Sequence, residues 1–248
     1  MQSTADPDGR PAAPATAVNS RFDLIGFDAD DTLWHSEDSF HEVEQRYVEL
    51  IAPYVPNGVD VRDAIRATEH RHVPISGYGV KAYTLSLVES AVIVSQGTVP
   101  ANVIGEIVTL GLDMLIEPVR LIADVPQVLA DLGRTHRLVM ITKGDLLHQW
   151  RKVEMSGLVH HFDRVEVVVE KDPDVYERVL DEVGVAAERF CMIGNSVRSD
   201  VLPVLELGGS AIHVPYHYTW EHEAADHDGS VVTAESIAEV PALIRSMG

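Results

Sequence analysis

Hydrophobic and polar positions follow two different rhythms along this chain. Short apolar runs of strand length recur at residues 22–27, 137–141, 164–169, 190–193 and 211–214. From residue 124 onward, stretches whose apolar residues return every three or four positions predict helices over 124–133, 146–156, 174–183, 200–207 and 237–247. Gly157 and Gly184 stand just past two of these stretches, where a residue without Cβ best takes the left-handed turn that ends a helix. Residues 36–118 carry helical periodicity and no strand pattern. Helices are expected there over 39 to about 54, 61 to about 70, 80–95 and 101–116. Pro53, Pro56, Asn57 and Gly58 break the first of these. Val73-Pro74-Ile75-Ser76-Gly77-Tyr78-Gly79 reads as a connector, and Gly97-Thr98-Val99-Pro100 combines a stop with a start. Short strands alternating with helices predict an α/β fold, a doubly wound, Rossmann-like parallel sheet covered on both faces. On this reading residues 21–35 and 119–248 form the core and 36–118 an inserted α-helical module. Residues 1–20, rich in Ala, Pro, Ser and Thr and without periodicity, form a disordered tail.

Composition narrows the function. The 248 residues are 46% hydrophobic, enough for a sizeable core. A net charge of −20 repels phosphate backbones, so a nucleic-acid polymer is not an expected partner, whereas a small phosphorylated ligand is compatible with a local field of opposite sign. Aromatic residues, 6% of the chain, give no base-stacking platform. The single cysteine, Cys191, excludes an intrachain disulfide and, within Phe190-Cys191-Met192-Ile193, reads as a small buried hydrophobe. No apolar run reaches the ~18 residues of a membrane span, and the N-terminus lacks a basic stretch followed by an apolar one. A cytoplasmic protein is expected.

The densest candidate chemistry ends the first apolar run, in Phe27-Asp28-Ala29-Asp30-Asp31-Thr32-Leu33. Carboxylates at the end of a buried strand are unfavourable unless a cation or hydrogen-bond donors meet them. In an open α/β sheet the carboxyl ends of the strands are where ligands bind. Asp28 and Asp30, two apart, would share one face of a continuing strand. Such a pair attracts a hard dication such as Mg²⁺, or divides the chemistry between nucleophile and acid/base. Three other strand ends bring polar groups to the same edge. Thr142-Lys143-Gly144 offers a hydroxyl and a glycine-permitted backbone approach to an anion. Lys171, in Glu170-Lys171-Asp172-Pro173, can neutralise a phosphate or the carboxylate that attacks it. Gly194-Asn195-Ser196, with Asp200 five residues beyond Asn195, offers oxygen ligands of the kind a Mg²⁺ site uses.

These four segments, in this order, resemble the motifs of the haloacid dehalogenase-like hydrolase superfamily, in its phosphatase branch. Asp28-Ala29-Asp30-Asp31-Thr32 matches the first motif, Thr142 the second, Lys171 within Lys171-Asp172-Pro173-Asp174 the third, and the stretch from Gly194 to Asp200 the fourth. The superfamily also inserts a helical cap between its first and second motifs, which fits residues 36–118. One position departs: Asn195 stands where a metal-binding Asp is usual, and it offers a carbonyl oxygen without charge. The resemblance implies a Mg²⁺-dependent phosphatase. Asp28 would attack phosphorus and form an aspartyl-phosphate. Asp30, with a raised pKa, would protonate the leaving oxygen and later activate water. Thr142, Lys143 and Lys171 would bind the phosphoryl group. Asp28, the Asp30 carbonyl, Asn195 and Asp200 would hold the metal. It also implies a small phosphorylated metabolite as partner and a monomer or homodimer.

The residues leave alternatives open. They are a phosphosugar mutase, a 2-haloacid dehalogenase, and a phospho-ligand-binding protein weakened at Asn195. Dehalogenases of this superfamily lack an Asp at the Asp30 position, which favours a phosphate ester. Lys81 reads as an exposed helix lysine. The histidines around Tyr216-His217-Tyr218-Thr219-Trp220, among them His213, His222 and His227, show no zinc spacing and read as a loop near the site edge.

Overall fold

The computed structural model describes residues 20–218 and 231–247. The expected disordered tail lies outside the described residues except for Ser20, whose hydroxyl is 2.8 Å from His136 Nε2. β1 (Leu24–Phe27) is buried along its whole length, as an unbroken apolar run requires of a central strand. It lies parallel between β2 (Arg137–Lys143) and β4 (Phe190–Gly194). With β3 (Arg164–Val168), β5 (Ser210–His213) and β6 (Val232–Thr233) it forms an all-parallel six-stranded sheet in the order β3-β2-β1-β4-β5-β6. The strand order turns back at β1, so the crevice of an open sheet falls at the carboxyl ends of β1 and β4. The two-residue β6 was not expected, because it is too short to carry a period-two signal.

Alternate residues of each central strand enter opposite apolar layers. Ile25, Phe27, Leu138, Met140, Cys191 and Ile193 pack with α5 (Val125–Leu132) and α9 (Val240–Ser246). Leu24, Val139, Ile141, Phe190 and Met192 pack with α7 (Pro173–Val183) and α8 (Leu202–Glu206) on the other face. Gly26 belongs where it does because a Cβ there would lie 2.6 Å from the Phe190 ring.

Between β1 and β2 the chain forms α1 (Glu37–Ile51), α2 (Val61–Ser76), α3 (Val80–Val94) and α4 (Ala101–Ile116). These helices surround an apolar cluster of their own, including Tyr47, Ile51, Ile65, Leu87 and Ile107. The expected connector over 73–79 is corrected here, since α2 continues through Pro74 to Ser76. A proline in the last turn removes the donor to a single carbonyl, that of His70, and this end of the helix is exposed enough for water to serve it. Gly77, with φ 72°, then stops the helix. The helix expected over 200–207 starts earlier, as a π-helical turn over Val197–Val201 that runs into α8, because the Ser196 hydroxyl accepts the Ser199 N–H at 3.0 Å and caps it there.

Candidate active site

Asp28 follows β1 directly, and its N–H is tied to the Ile193 carbonyl at 2.9 Å, which fixes it beside the end of β4. One carboxylate oxygen accepts the Thr32 hydroxyl at 3.2 Å. The other accepts Lys171 Nζ, which reaches in from the loop after β3. Lys171 Nζ also donates to Asp200 Oδ1 at 2.7 Å, and Asp200 Oδ2 accepts the Ser196 N–H at 3.0 Å. All three side chains are buried. Burial pushes the Asp28 carboxyl up to about 7, against the pull of Lys171 and with the help of the Asp200 charge. Burial works against the Lys171 ammonium, but Asp200 and Asp28 outweigh it and hold it well above the usual lysine range. Gly194 makes the approach possible: a Cβ there would lie 2.1 Å from Asp200 Oδ2.

Asp30 sits differently from the expectation. The resemblance implies a raised pKa for it. Burial does push it up, yet Lys152, Gln149 and Trp34 outweigh that and bring it below the ordinary aspartate value. Lys152 Nζ lies 2.6 and 2.8 Å from its two oxygens, Trp34 Nε1 donates at 2.6 Å and Gln149 Nε2 at 3.0 Å. Asp31, the third carboxylate of the run, also lines the cavity, and it accepts the N–H groups of Ser36 (2.8 Å) and Glu37 (3.1 Å), capping α1. Gln149 and Lys152 belong to α6 (Leu146–Ser156), and neither they nor Trp34 stood out in the sequence. Their polar spacing on one helix face was visible, but it looks the same on any solvated face.

The seven candidate residues Asp28, Asp30, Thr142, Lys143, Lys171, Asn195 and Asp200 line one cavity of about 400 Å³. The helical insertion supplies its other wall, including Phe40, His41, Arg66, Tyr78 and Tyr83. Lys143 Nζ stands 4.3 Å from the centre of the Tyr78 ring and 3.3 Å from Glu170 Oε1, while the Tyr78 hydroxyl donates to Glu170 Oε2 at 2.6 Å. Lys81 is an exposed helix lysine, as expected, and its ammonium pairs with Asp145 at 2.8 Å, which ties α3 to the start of α6. At the rim His217 Nε2 meets Asp38 at 2.7 Å and Tyr218 stacks on His41. His222 and His227 lie outside the described residues.

Among the described residues no trio of His, Cys, Asp or Glu side chains is arranged to hold a metal. The site offers instead the carboxylates of Asp28 and Asp200 and the amide oxygen of Asn195, which lies 3.4 Å from the Thr32 hydroxyl. All are hard oxygen donors, and two buried carboxylates facing one ammonium leave a deficit of positive charge. These residues fit a hard dication such as Mg²⁺ and do not suit a zinc site.

Residues 22–208 match the family described as haloacid dehalogenase-like hydrolase. A crystal structure of a haloacid dehalogenase-like family hydrolase from Xanthomonas campestris superposes with a TM-score of 0.81 at 40% identity, covering 92% of this chain and 96% of that one. The chain belongs to the haloacid dehalogenase-like hydrolases and is a hydrolytic enzyme. A curated relative, the glyceraldehyde 3-phosphate phosphatase of Methanothermobacter thermautotrophicus, is 34% identical over 107 residues, which span 41% of this chain and about half (47%) of the relative. The 2-haloacid dehalogenase of Pseudomonas syringae pv. Tomato DC3000, at 18% identity and a TM-score of 0.62 over 92% of this chain and 100% of that one, shares the fold.

Proposed function

We propose that this enzyme is a Mg²⁺-dependent phosphomonoester hydrolase that works through an aspartyl-phosphate on Asp28. The observation that carries this reading is the Asp28–Lys171–Asp200 cluster, which shares one cavity with the Thr142 hydroxyl and Asp30. In the first half-reaction an Asp28 oxygen bonds to phosphorus as the bond to the leaving oxygen breaks, and Asp30, which has to take up a proton against the pull of Lys152, Gln149 and Trp34, passes it to that oxygen. In the second, Asp30 takes a proton from water, whose oxygen bonds to phosphorus as the Asp28–phosphorus bond breaks. One water is consumed, and free phosphate and alcohol leave. Lys171 and Thr142 hold the transferring phosphoryl oxygens, with Lys143 at the phosphate subsite. Asp28, Asn195, Asp200 and the Asp30 carbonyl would hold Mg²⁺, which supplies positive charge between an anionic nucleophile and an anionic substrate.

Asp30 supports a phosphate ester over a haloacid, because a departing halide needs no proton. The named activity of the Methanothermobacter relative supports a small phosphorylated metabolite as substrate. The helical insertion then acts as a cap that excludes water and selects the leaving group. The test is phosphate release from a panel of aryl and small alkyl phosphates, with and without Mg²⁺, by wild type and Asp28→Asn. Mg²⁺-dependent release that Asp28→Asn abolishes is expected. Halide release from a haloacid, or an isomerised phosphate product, would replace this reading with the dehalogenase or the mutase.

A further inference from the structure

We propose that Gln149 and Lys152 are positioning residues that together aim the Asp30 carboxyl group and the Thr142 hydroxyl at the substrate's phosphate ester. This rests on the phosphatase reading above and adds residues that none of the four motifs contains. The two side chains stand at i and i+3 on α6 and therefore on one face of it. That helix begins two residues after β2, the strand that carries Thr142, and its start is fixed by the Asp145 carboxylate, which accepts the His148 N–H at 3.0 Å.

Gln149 is buried, and its Nε2 lies 2.7 Å from Thr142 Oγ1, 3.0 Å from Asp30 Oδ2 and 3.0 Å from the Lys143 carbonyl oxygen. A hydroxyl that accepts from Gln149 keeps its own proton to donate. Among the described residues the Thr142 hydroxyl proton has no acceptor, and Thr142 lines the cavity. The amide thus turns a side chain that could point either way into a donor toward a phosphoryl oxygen.

Lys152 acts on the other partner. Its Nζ spans both oxygens of Asp30 at 2.6 and 2.8 Å, Trp34 Nε1 holds one of them and Gln149 the other. Contacts on both oxygens from two directions fix the plane of the carboxyl group, and a general acid or base works only when its oxygen is in hydrogen-bond reach of the proton's partner. One helix face therefore sets the geometry of a proton-transferring group and of a phosphate-holding group that come from different strands.

The alternative is that Gln149 and Lys152 merely dock α6 against the loop after β1. The two are separated by kcat and KM for wild type, Lys152→Met, Lys152→Arg and Gln149→Leu over a series of phosphate esters, from 4-nitrophenyl phosphate to simple alkyl phosphates. A nitrophenolate departs without a proton, whereas an alkoxide needs one. Lys152→Met is expected to lower kcat/KM, which reports the first half-reaction, by about a hundredfold for alkyl esters, within the range of general acid–base catalysis, and by less than about tenfold for the nitrophenyl ester; Gln149→Leu should show the same leaving-group dependence on top of a loss common to all esters, because Thr142 holds a phosphoryl oxygen whatever group departs. Lys152→Arg should recover most of the alkyl activity. Equal losses of kcat/KM along the whole series would make the pair a structural clamp and overturn the proposal. A rise in KM with an unchanged leaving-group dependence would make Lys152 a substrate contact and also overturn it. If Lys152→Met fails to fold, Gln149→Leu, which strands no charge, carries the same comparison. Absence of phosphate release by wild type across the series would remove the phosphatase reading itself, a result distinct from an unaltered leaving-group dependence in the variants.

Discussion

Replacing Lys171 by Met tests the electrostatics of the site without reference to turnover. Met keeps most of the buried aliphatic volume and removes the ammonium, leaving the Asp28 and Asp200 carboxylates, both buried, without a counter-charge. Removing one partner of a buried ion pair costs about 3–5 kcal/mol. In a protein of this size each kcal/mol moves the melting temperature by roughly 2–4 °C, so a fall of roughly 6–20 °C is expected at about pH 8. The sign of the pH dependence follows from Asp28. Its pKa in the folded chain is already raised to about 7, so the stability it contributes is fully present below the ordinary carboxylate range and is lost as pH rises through that value. Without Lys171 the pull that restrains this rise disappears. The gap between Lys171→Met and wild type should therefore be widest at about pH 8 and shrink toward about pH 5. Thermal melts and urea unfolding followed by circular dichroism at both pH values measure it. The double variant Lys171→Met/Asp28→Asn strands one charge where the single variant strands two, and it should recover a large part of the loss. A Lys171→Met protein that melts within about 2 °C of wild type at the higher pH, or whose deficit grows on acidification, would refute this account of the cluster.

Two further substitutions probe neighbouring features. Gly194→Ala places a Cβ 2.1 Å from Asp200 Oδ2, so Asp200 must move off Lys171. The expected result is a loss of about 1–3 kcal/mol in urea unfolding and at least about a tenfold drop in phosphate release. His148 is held down to about 4, chiefly by burial and then by the Lys152 charge, so its stabilising contribution is present above the ordinary histidine value and is lost as pH falls from there toward about 4. Relative to His148→Gln, wild type should lose about 1–2 kcal/mol over that window, a figure reduced for the partial exposure of the ring, and paired denaturation curves at the two ends of the window check it.

The parts of this molecule that could be read from its sequence are those whose signal is local. β1, β2 and β4 are buried on both faces, so each is a continuous apolar run, and the residue following each run had to lie at the carboxyl edge of the sheet. Asp28, Thr142 and Asn195 were found on that basis. Lys171 was found in the same way, in the loop after β3. What stayed hidden depends on contacts across long stretches of chain. Gln149 and Lys152 meet Asp30 across 119 and 122 residues of sequence. Nothing local distinguishes them from a solvated helix face, and so the direction of the Asp30 shift was misjudged. Asp31, in the same acidic run, carried no sign of its own role: the chain turns there with φ 61° and its carboxylate accepts the N–H of Ser36 at the start of α1. Residues 73–79 read as a connector because a propensity says how often a helix tolerates proline and does not say where in the helix it stands. β6 pairs at only two positions with β5, too few for any periodicity.

The central claim is that Asp28 is the nucleophile of a phosphate-ester hydrolase. Its most direct test is phosphate release by wild type and Asp28→Asn in the presence of Mg²⁺, with the fold of each checked by its melting curve. Because Lys171 keeps Asp200 as a partner and the ionised Asp28 is a burden to the folded state near neutral pH, Asp28→Asn should melt no lower than wild type while losing essentially all turnover. Turnover close to the wild-type rate in a folded Asp28→Asn protein would contradict the account.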